Sequence, residues 1–518
     1  MFDVSHYDTR CSHFKLLTCE HFRPISLRVQ HVVGLLAGKK SSNGIRLDSD
    51  GQGDGVAPGA RIAFVDTTVG TSGYAYPDDI TLLNVGRTNV ADEANMARIH
   101  SASWGVRGQN TYTSQASTFD DYMFQHDDFL MVLAAGNGGR YNREGSIYAP
   151  STSKNAICVG AAHSAEDDLT DDMAGSNFIA DFSGKGTTGD GRIAPDIVAP
   201  GKFVLAAGAQ PNVVGECDPE NGELPEIGYN NLLGGLKYDA GTSMATPVVS
   251  GTAALVIQYF QDGFYPGGAR DSGPSISPSN ALVKAVLLNG AQTASIEGVD
   301  NLDENIAAVK PYDGAVGFGR IDMLTSLYIK GKSFVQAQVW DRQTIDDGET
   351  MTFTATIDRS NGCDFEAFST TLVWFEPASA NYCNKCLLND LDLYVTKNGD
   401  DLKYYPNGKS TKDNVNTVER VALGSGVNDG DVFTIHVEAA NLSTKSQRFA
   451  LVATGCFGGE ASEYSGMAYG APNNKNSDGS SGGSSTAAVI AISVVGGLAL
   501  LVGIGLLVLK HHRHKESF

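Results

Sequence analysis

The sequence predicts an α/β fold with a parallel sheet covered by helices on both faces, followed by an antiparallel β-sandwich and a single transmembrane helix. Apolar runs of strand length alternate with helical segments up to residue 328, which is typical of a buried parallel sheet. From residue 335, short segments of alternating polarity are separated by turn residues, as in a sandwich. Residues 487–509 are an uncharged run of 23 residues, long enough to cross a bilayer.

The chain of 518 residues divides where its composition changes. Residues 1–30 match none of the patterns that follow. After them we expect a first globular unit at 31–328, a sandwich at 335–456, a linker at 457–485, a transmembrane helix at 486–509 and a basic tail at 510–518. The linker is dominated by Gly, Ser, Asn and Asp and has no apolar period to pack, so we expect a flexible stalk.

The formal net charge of −21 speaks against nucleic acid as a partner, because a protein that binds nucleic acid needs a basic face. The glycine-rich stretch at 51–55 precedes a predicted strand instead of following one, so it is no dinucleotide fingerprint.

The heptapeptide at 241–247 (GTSMATP) stands directly before an apolar run, 247–259, which predicts a buried helix. Glycine permits a close backbone approach, and a serine at a helix start lies at the positive end of the macrodipole, where an oxyanion is stabilised. Ser243 is therefore a candidate nucleophile. A simple helix cap followed by an early proline gives a similar pattern, so the assignment depends on the motifs that accompany it.

Further motifs accompany this one in a fixed order along the chain, at 55–60 (GVAPGA), 62–65, 100–105 (HSASWG), 129–138 (FLMVLAAGNG), 156–161, 182–184, 193–201 and 315–322. Together they resemble the subtilisin-like serine proteases, or subtilases, from about His31 to Ile321. The resemblance implies a subtilisin-like fold and protein or peptide substrates. By the same resemblance, Ser243 is the nucleophile and Asn137 supplies the side-chain amide of the oxyanion hole.

Residues Ser103, Trp104 and Gly105 are similar to the family's strand and glycine turn that pair with an extended substrate. Taken alone, an Asn before Gly such as Asn137 is more often a turn residue. Its occurrence together with Ser243 favours the oxyanion assignment.

The segment at 28–38 (RVQHVVGLLAG) departs from the family pattern. The family's general base is the first histidine of a His-Gly-Thr-His motif, and Arg28 stands in its place. Arginine stays protonated at ordinary pH and cannot accept the serine proton. His31 matches the second, structural histidine of the motif. Neither Asp3 nor Asp8 follows an apolar strand or precedes a glycine, so neither is assigned as the triad aspartate.

Two explanations fit this departure. In the first, the chain lacks its true N-terminal part and the intact protein is a serine endopeptidase. In the second, it is a membrane-anchored pseudoprotease that binds peptides or partner proteins. The first strand, the aspartate turn and the histidine motif are all missing at once, whereas decay of a site replaces single residues. We therefore expect a truncated or wrongly predicted start.

The basic residues at 510–515 (KHHRHK) follow the apolar run directly. By the positive-inside rule they face the cytosol, which predicts a single-pass type I membrane protein with its peptidase domain extracellular or lumenal. Such a protein needs a secretory signal, and residues 1–30 contain no apolar stretch of the required length.

Segments of the sandwich at 372–377, 389–393 and 416–421 resemble the jelly-roll domain that follows the catalytic domain in some subtilases, where it supports the protease or binds substrate. Asp390 and Asp392 offer hard oxygen ligands for a structural calcium ion, although a solvated turn is the more common explanation of such a pair. No other cofactor is expected.

Four cysteines of the sandwich, Cys363, Cys383, Cys386 and Cys456, can form two disulfides in three possible pairings. Cys158 lies in a predicted core strand and is expected to be a buried free thiol.

Overall fold

A computed structural model of the chain describes residues 26–39, 41–42, 45–46, 54–64, 68–69, 73–74, 77–88, 96–140, 143–164, 177–207, 236–294, 296–299, 308–333, 335–363, 365–400, 402–458 and 489–493. Most of the predicted linker, the predicted tail, residues 1–25 and most of the predicted transmembrane segment lie outside these described residues.

The helices described in the first part of the chain are α1 (Ser26–Ala37), α2 (Asp79–Leu83), α3 (Ser114–Gln125), α4 (Thr242–Gln261) and α5 (Asn280–Asn289). Its strands are β1 (Ser41–Ser42), β2 (Ile45–Arg46), β3 (Arg61–Phe64), β4 (Thr68–Val69), β5 (Gly73–Tyr74), β6 (Ile99–Ala102), β7 (Leu130–Ala134), β8 (Ile157–His163), β9 (Phe178–Ile179), β10 (Ile197–Lys202), β11 (Val204–Ala207), β12 (Leu236–Asp239) and β13 (Gly298–Val299).

The second part of the chain contains the strands β14 (Gln336–Asp346), β15 (Thr350–Thr356), β16 (Phe368–Trp374), β17 (Asn389–Lys397), β18 (Lys403–Tyr404), β19 (Val418–Leu423), β20 (Val432–Leu442) and β21 (Ser446–Gly455). One more strand, β22 (Val489–Ser493), follows them in the chain.

A mostly parallel sheet forms the centre of the first part, with strand order β13-β9-β8-β7-β6-β22-β3 and β10 paired to β8. Strands β6, β7 and β8 are buried along their whole length, which is why their sequences are continuous apolar or small-residue runs. Helix α4 packs across β6, β7, β8 and β10. The predicted parallel sheet and the predicted buried helix over residues 247–259 are therefore confirmed.

Strand β22 lies between β3 and β6 and pairs with both in parallel, with Ile490 opposite Ile62 and Ile99. It falls within the predicted transmembrane helix at 486–509, so at 489–493 the structure differs from that prediction. The reason is physical: an apolar segment rich in Val and Ile suits a central buried strand as well as a bilayer. Among the described helices, none combines the length and the apolar composition needed to cross a membrane.

Two four-stranded antiparallel sheets form the second part, in the orders β14-β21-β16-β19 and β15-β20-β17-β18. Side chains from both sheets, including Trp374, Phe433 and Leu451, fill the core between them. The opposite face of the first sheet packs on α5 through residues such as Val373 and Val452. These strands lie within the region from residue 335 in which the sequence predicts segments of an antiparallel sandwich.

Two disulfides link the four cysteines of the sandwich. Cys363 bonds to Cys456 across 93 residues, and Cys383 bonds to Cys386. This selects one of the three possible pairings. Cys158 is a buried free thiol in β8, as predicted.

A fully buried ion pair joins the two parts of the chain. Lys154, three residues before β8, places Nζ 2.6 Å from Glu376 Oε1, and both side chains are completely buried. The same ammonium group donates to Ser379 Oγ and to the carbonyl oxygens of Pro377 and Cys386. Glu376 Oε2 accepts the N–H groups that begin β17, including that of Asn389 at 2.7 Å. All charges of this pair are thus satisfied by hydrogen bonds.

A buried arginine makes a second polar link between the two parts. Arg420 in β19 donates to the carbonyl oxygens of Leu288 and Ala291 at the end of α5 and to that of Phe318. A cation at this end of a helix also complements the macrodipole.

We predict that Lys154→Met destabilises the protein by about 3–5 kcal/mol, because it leaves the Glu376 carboxylate buried without its cation. Urea unfolding followed by tryptophan fluorescence measures this change. The matched control is Lys385→Met: Lys385 is 58% exposed and its Nζ lies 4.0 Å from Asp390, so we expect a loss below about 1 kcal/mol. Equal losses for the two variants would contradict the assigned role of Lys154.

Candidate active site

Ser243 is the second residue of α4, at the end of the helix that faces the carboxyl ends of the parallel strands. Gly241 precedes the helix with φ 155° and makes no side-chain cap; its N–H donates to Gly201 O at 2.7 Å. The side chain of Ser243 is partly exposed, whereas its neighbours Thr242 and Met244 are buried. The hydroxyl therefore opens onto the surface at the positive end of a 20-residue helix.

Ser103 and Ser243 exchange two hydrogen bonds. Ser103 Oγ donates to Ser243 O at 2.8 Å, and Ser243 Oγ donates to Ser103 O at 3.2 Å. The first bond is possible because Pro247, four residues further along the helix, has no N–H to donate to Ser243 O. The end of β6 is thus joined directly to the start of α4.

Asn137 follows β7 and is held by Thr242. The N–H and the hydroxyl of Thr242 donate to Asn137 Oδ1 at 2.9 and 3.0 Å. Because both partners are donors, the accepting atom must be the amide oxygen, which fixes the orientation of the side chain. Asn137 Nδ2 is therefore the end directed away from Thr242.

Asn137 Nδ2 and the Ser243 N–H border one small space. A Cβ atom at Gly241 would stand 3.5 Å from Asn137 Nδ2 and 3.6 Å from Ser243 N, so glycine leaves this space open. The Thr242 N–H donates to Asn137 and the Met244 N–H to Gly241 O, whereas the Ser243 N–H has no hydrogen-bond partner within the described part of the chain. Two donors that converge in this way suit an anionic oxygen.

The predicted substrate-binding residues continue from Ser103. Trp104 packs edge-on against Phe119 with ring centroids 6.4 Å apart, and Gly105 lies against Tyr148. The fold thus brings Ser243, Asn137 and Ser103 together, with Trp104 and Gly105 next along the chain. Sequence reasoning missed the role of Thr242, although the residue lies inside the recognised heptapeptide, and it missed Tyr148, which no motif indicates.

His31 lies in the middle of α1 and is completely buried. Its Nε2 is 3.0 Å from the carbonyl oxygen of Val204. A carbonyl oxygen only accepts, so Nε2 must donate its proton there, and it is not available as a base. Arg28 belongs to the first turn of the same helix.

The two carboxylates of β17, Asp390 and Asp392, differ in their surroundings. Asp392 lies 3.1 Å from Lys412 Nζ, whereas Asp390 Oδ1 is buried without a hydrogen-bond partner. Burial, reinforced by repulsion from Asp392, raises the pKa of Asp390 to about 6. Among the described residues, no group of three or more His, Cys, Asp or Glu side chains is arranged to hold a metal ion.

We predict that Asp390→Asn stabilises the protein at pH 7 by about 1–2 kcal/mol. Since the unfolded pKa is about 3.9, the native state binds more protons between pH ~4 and ~6, and the free energy of unfolding falls as pH rises through this window. An asparagine at this position does not titrate, so this decrease in the free energy of unfolding is absent from the variant. Urea unfolding of both proteins should give converging stabilities near pH 3. A constant difference at every pH would contradict the assignment to Asp390.

The chain is similar to known proteins, and the similarity includes the residues of this site. The model of the subtilase family (Peptidase_S8) matches residues 30–308, more than half of the chain and including Ser103, Asn137 and Ser243. The chain is 26% identical over 528 residues to the serine protease/ABC transporter B family protein tagD of Dictyostelium discoideum, a match that covers 82% of the chain. Only 28% of that relative is covered, so the chain spans little more than a quarter of its length.

Serine protease AprX of Bacillus subtilis (strain 168) is 30% identical over 162 residues, which is 31% of this chain and 30% of AprX. Among solved structures, Sphericase aligns with a TM-score of 0.36 and 25% identity over 57% of this chain and 77% of its own. The family resemblance that the motifs indicate is confirmed by the family match, and the chain belongs to the subtilase family.

Proposed function

We propose that this chain is the peptidase part of a serine endopeptidase. Ser243 Oγ attacks the scissile carbonyl, and the oxygen that becomes negative is held by Asn137 Nδ2 and the Ser243 N–H. One observation supports this proposal above the others: both donors border the space that Gly241 leaves open, and Asn137 is fixed there by Thr242. The extended substrate lies along residues 103–105.

The proton of the Ser243 hydroxyl must pass to a base and then to the leaving amine. In the family a histidine at the place of Arg28 accepts it, and the guanidinium of Arg28 has no basic lone pair to offer. Without a base, the oxyanion donors and substrate binding alone give roughly 10³ to 10⁴-fold acceleration over water. We therefore propose that the chain with Arg28 is a very slow protease and that a histidine at this position provides the missing base.

A second candidate function is a pseudoprotease that binds peptides or partner proteins in an intact cleft. The observation that favours it is that His31 is completely buried, with its Nε2 3.0 Å from Val204 O, so this histidine is not placed at the surface where it could replace the missing base. The sandwich, in either case, supports the peptidase part through the buried pair of Lys154 and Glu376.

The experiment that separates the two candidates is labelling with a fluorophosphonate, which reacts with activated serines. We predict that Arg28→His is labelled at Ser243 about 10²-fold faster than the unchanged chain, because a general base contributes about that factor. Mass spectrometry of the labelled peptide measures the site and the rate. Ser243→Ala abolishes the labelling, and Arg28→Lys is the matched control that restores no base.

If folded Arg28→His protein is labelled at Ser243 no faster than the unchanged chain, the assignment of position 28 to the base is wrong and the binding function is favoured. Labelling of Ser243→Ala at an equal rate would contradict the role of this serine in the same way.

We also propose that the protein is a single-pass type I membrane protein, with residues 487–509 in the bilayer and the peptidase part extracellular or lumenal. The support is the uncharged run, the basic residues after it and the sequon at Asn441, whose side chain is exposed. The pairing of β22 with β3 and β6 is the competing arrangement, since one molecule cannot have residues 489–493 in both places.

Removal of residues 487–518 distinguishes the two arrangements. As a membrane anchor, the segment is dispensable for folding, so we predict that the shortened protein leaves the membrane fraction and unfolds at the same urea concentration as the full chain. Carbonate extraction and urea unfolding measure the two properties. A shortened protein with a clearly lower unfolding midpoint would instead show that β22 completes the central sheet.

A further inference from the structure

Tyr148 lies in a short extended segment between the two stretches of chain that flank the candidate nucleophile. The Tyr148 N–H donates to Ala135 O at 2.9 Å, just before Asn137. On the other side the Val106 N–H donates to Ala149 O at 2.7 Å, just after the substrate-binding residues. Residue 148 is thus hydrogen-bonded into the gap between these two stretches.

The ring of Tyr148 fills that gap against three glycines. A Cβ atom at Gly105 would approach Tyr148 Cβ to 2.9 Å, one at Gly136 would approach Cγ to 2.4 Å, and one at Gly138 would approach the hydroxyl oxygen to 2.9 Å. Real Cβ atoms do not come this close to other atoms, so a side chain at any of these positions would collide with the ring. The tyrosine therefore extends from residue 105 across to residue 138.

The position of the ring follows from the proposed reaction. In the proposed reaction, the oxygen of the attacked carbonyl lies at Asn137 Nδ2 and the substrate is extended along residues 103–105. The side chain of the substrate residue that carries this carbonyl then projects between the two stretches of chain. This is the space that the ring of Tyr148 occupies. Burial raises the pKa of Tyr148, so at neutral pH the occupant is an uncharged phenol.

We propose that Tyr148 closes the pocket for the substrate side chain on the acyl side of the scissile bond. The inference rests on the proposed function of the cleft. The pocket then accepts only glycine, alanine or serine at this position, because the aromatic ring already takes the volume that a large side chain needs. Tyr148 is a specificity-determining residue and takes no part in proton transfer.

The test uses binding, which needs no general base. Two product-like peptides, acetyl-Ala-Ala-Pro-Ala and acetyl-Ala-Ala-Pro-Phe, are titrated into the unchanged chain and followed by NMR. We expect the alanine peptide to bind at least about tenfold more tightly than the phenylalanine peptide. In Tyr148→Gly the phenylalanine peptide gains at least about tenfold, since its ring enters the vacated space.

Two further variants sharpen the result. Tyr148→Phe keeps the ring and loses only the hydroxyl, so it retains the preference for alanine. Tyr382→Gly is the matched control, because it removes a tyrosine that is 69% exposed and leaves both affinities unchanged. The comparison of the two peptides on the unchanged chain is informative even if Tyr148→Gly does not fold.

Equal binding of the two peptides to the unchanged chain would overturn this inference and leave the proposed function standing. Binding of neither peptide to the chain or to folded Tyr148→Gly would overturn the proposed peptide cleft, and the inference with it.

Discussion

The two hydrogen bonds between Ser103 and Ser243 are the constraint on which the site depends. They join the end of the buried strand β6 to the start of α4, so that Ser103 and Ser243 are held in one fixed frame. Pro247 makes this possible, because a helical N–H at that position would otherwise compete for the Ser243 carbonyl. A proline inside a helix normally costs stability, and here its missing donor is replaced by the Ser103 hydroxyl.

The sandwich is connected to the same frame through a short stretch of chain. Tyr148, which lies beside the cleft, is followed six residues later by Lys154, whose ammonium group is buried against Glu376 of the sandwich. Asn155 adds hydrogen bonds to the backbone of Glu376 in both directions. A displacement of the sandwich would therefore move the segment that positions Tyr148. The second part of the chain is thus joined by a buried ion pair and by hydrogen bonds to the segment that follows Tyr148.

The sequence was sufficient for those features whose signal is local. The run after Ser243 predicts α4 because it is apolar over many turns, and the run before Asn137 predicts β7 because a buried parallel strand needs no polar face. The pairing of Lys154 with Glu376 joins residues 222 positions apart, and no local pattern reports such a contact. The segment 489–493 shows the opposite limit, since the same apolar, β-branched composition fits a bilayer and a central strand alike.

The start of α4 supports a binding role independently of any family resemblance. A serine, threonine or aspartate cap stabilises a helix start by roughly a few tenths of a kcal/mol relative to glycine, and Gly241 supplies no side-chain cap. Asn137 Oδ1 accepts the Thr242 N–H, and Asn137 Nδ2 is directed toward the same open space as the Ser243 N–H. Functional sites are the places where proteins depart from the residue choices that favour stability. A helix start that lacks a side-chain cap and leaves two donors facing one space is suited in its geometry to an anionic oxygen, whether or not a base stands at residue 28.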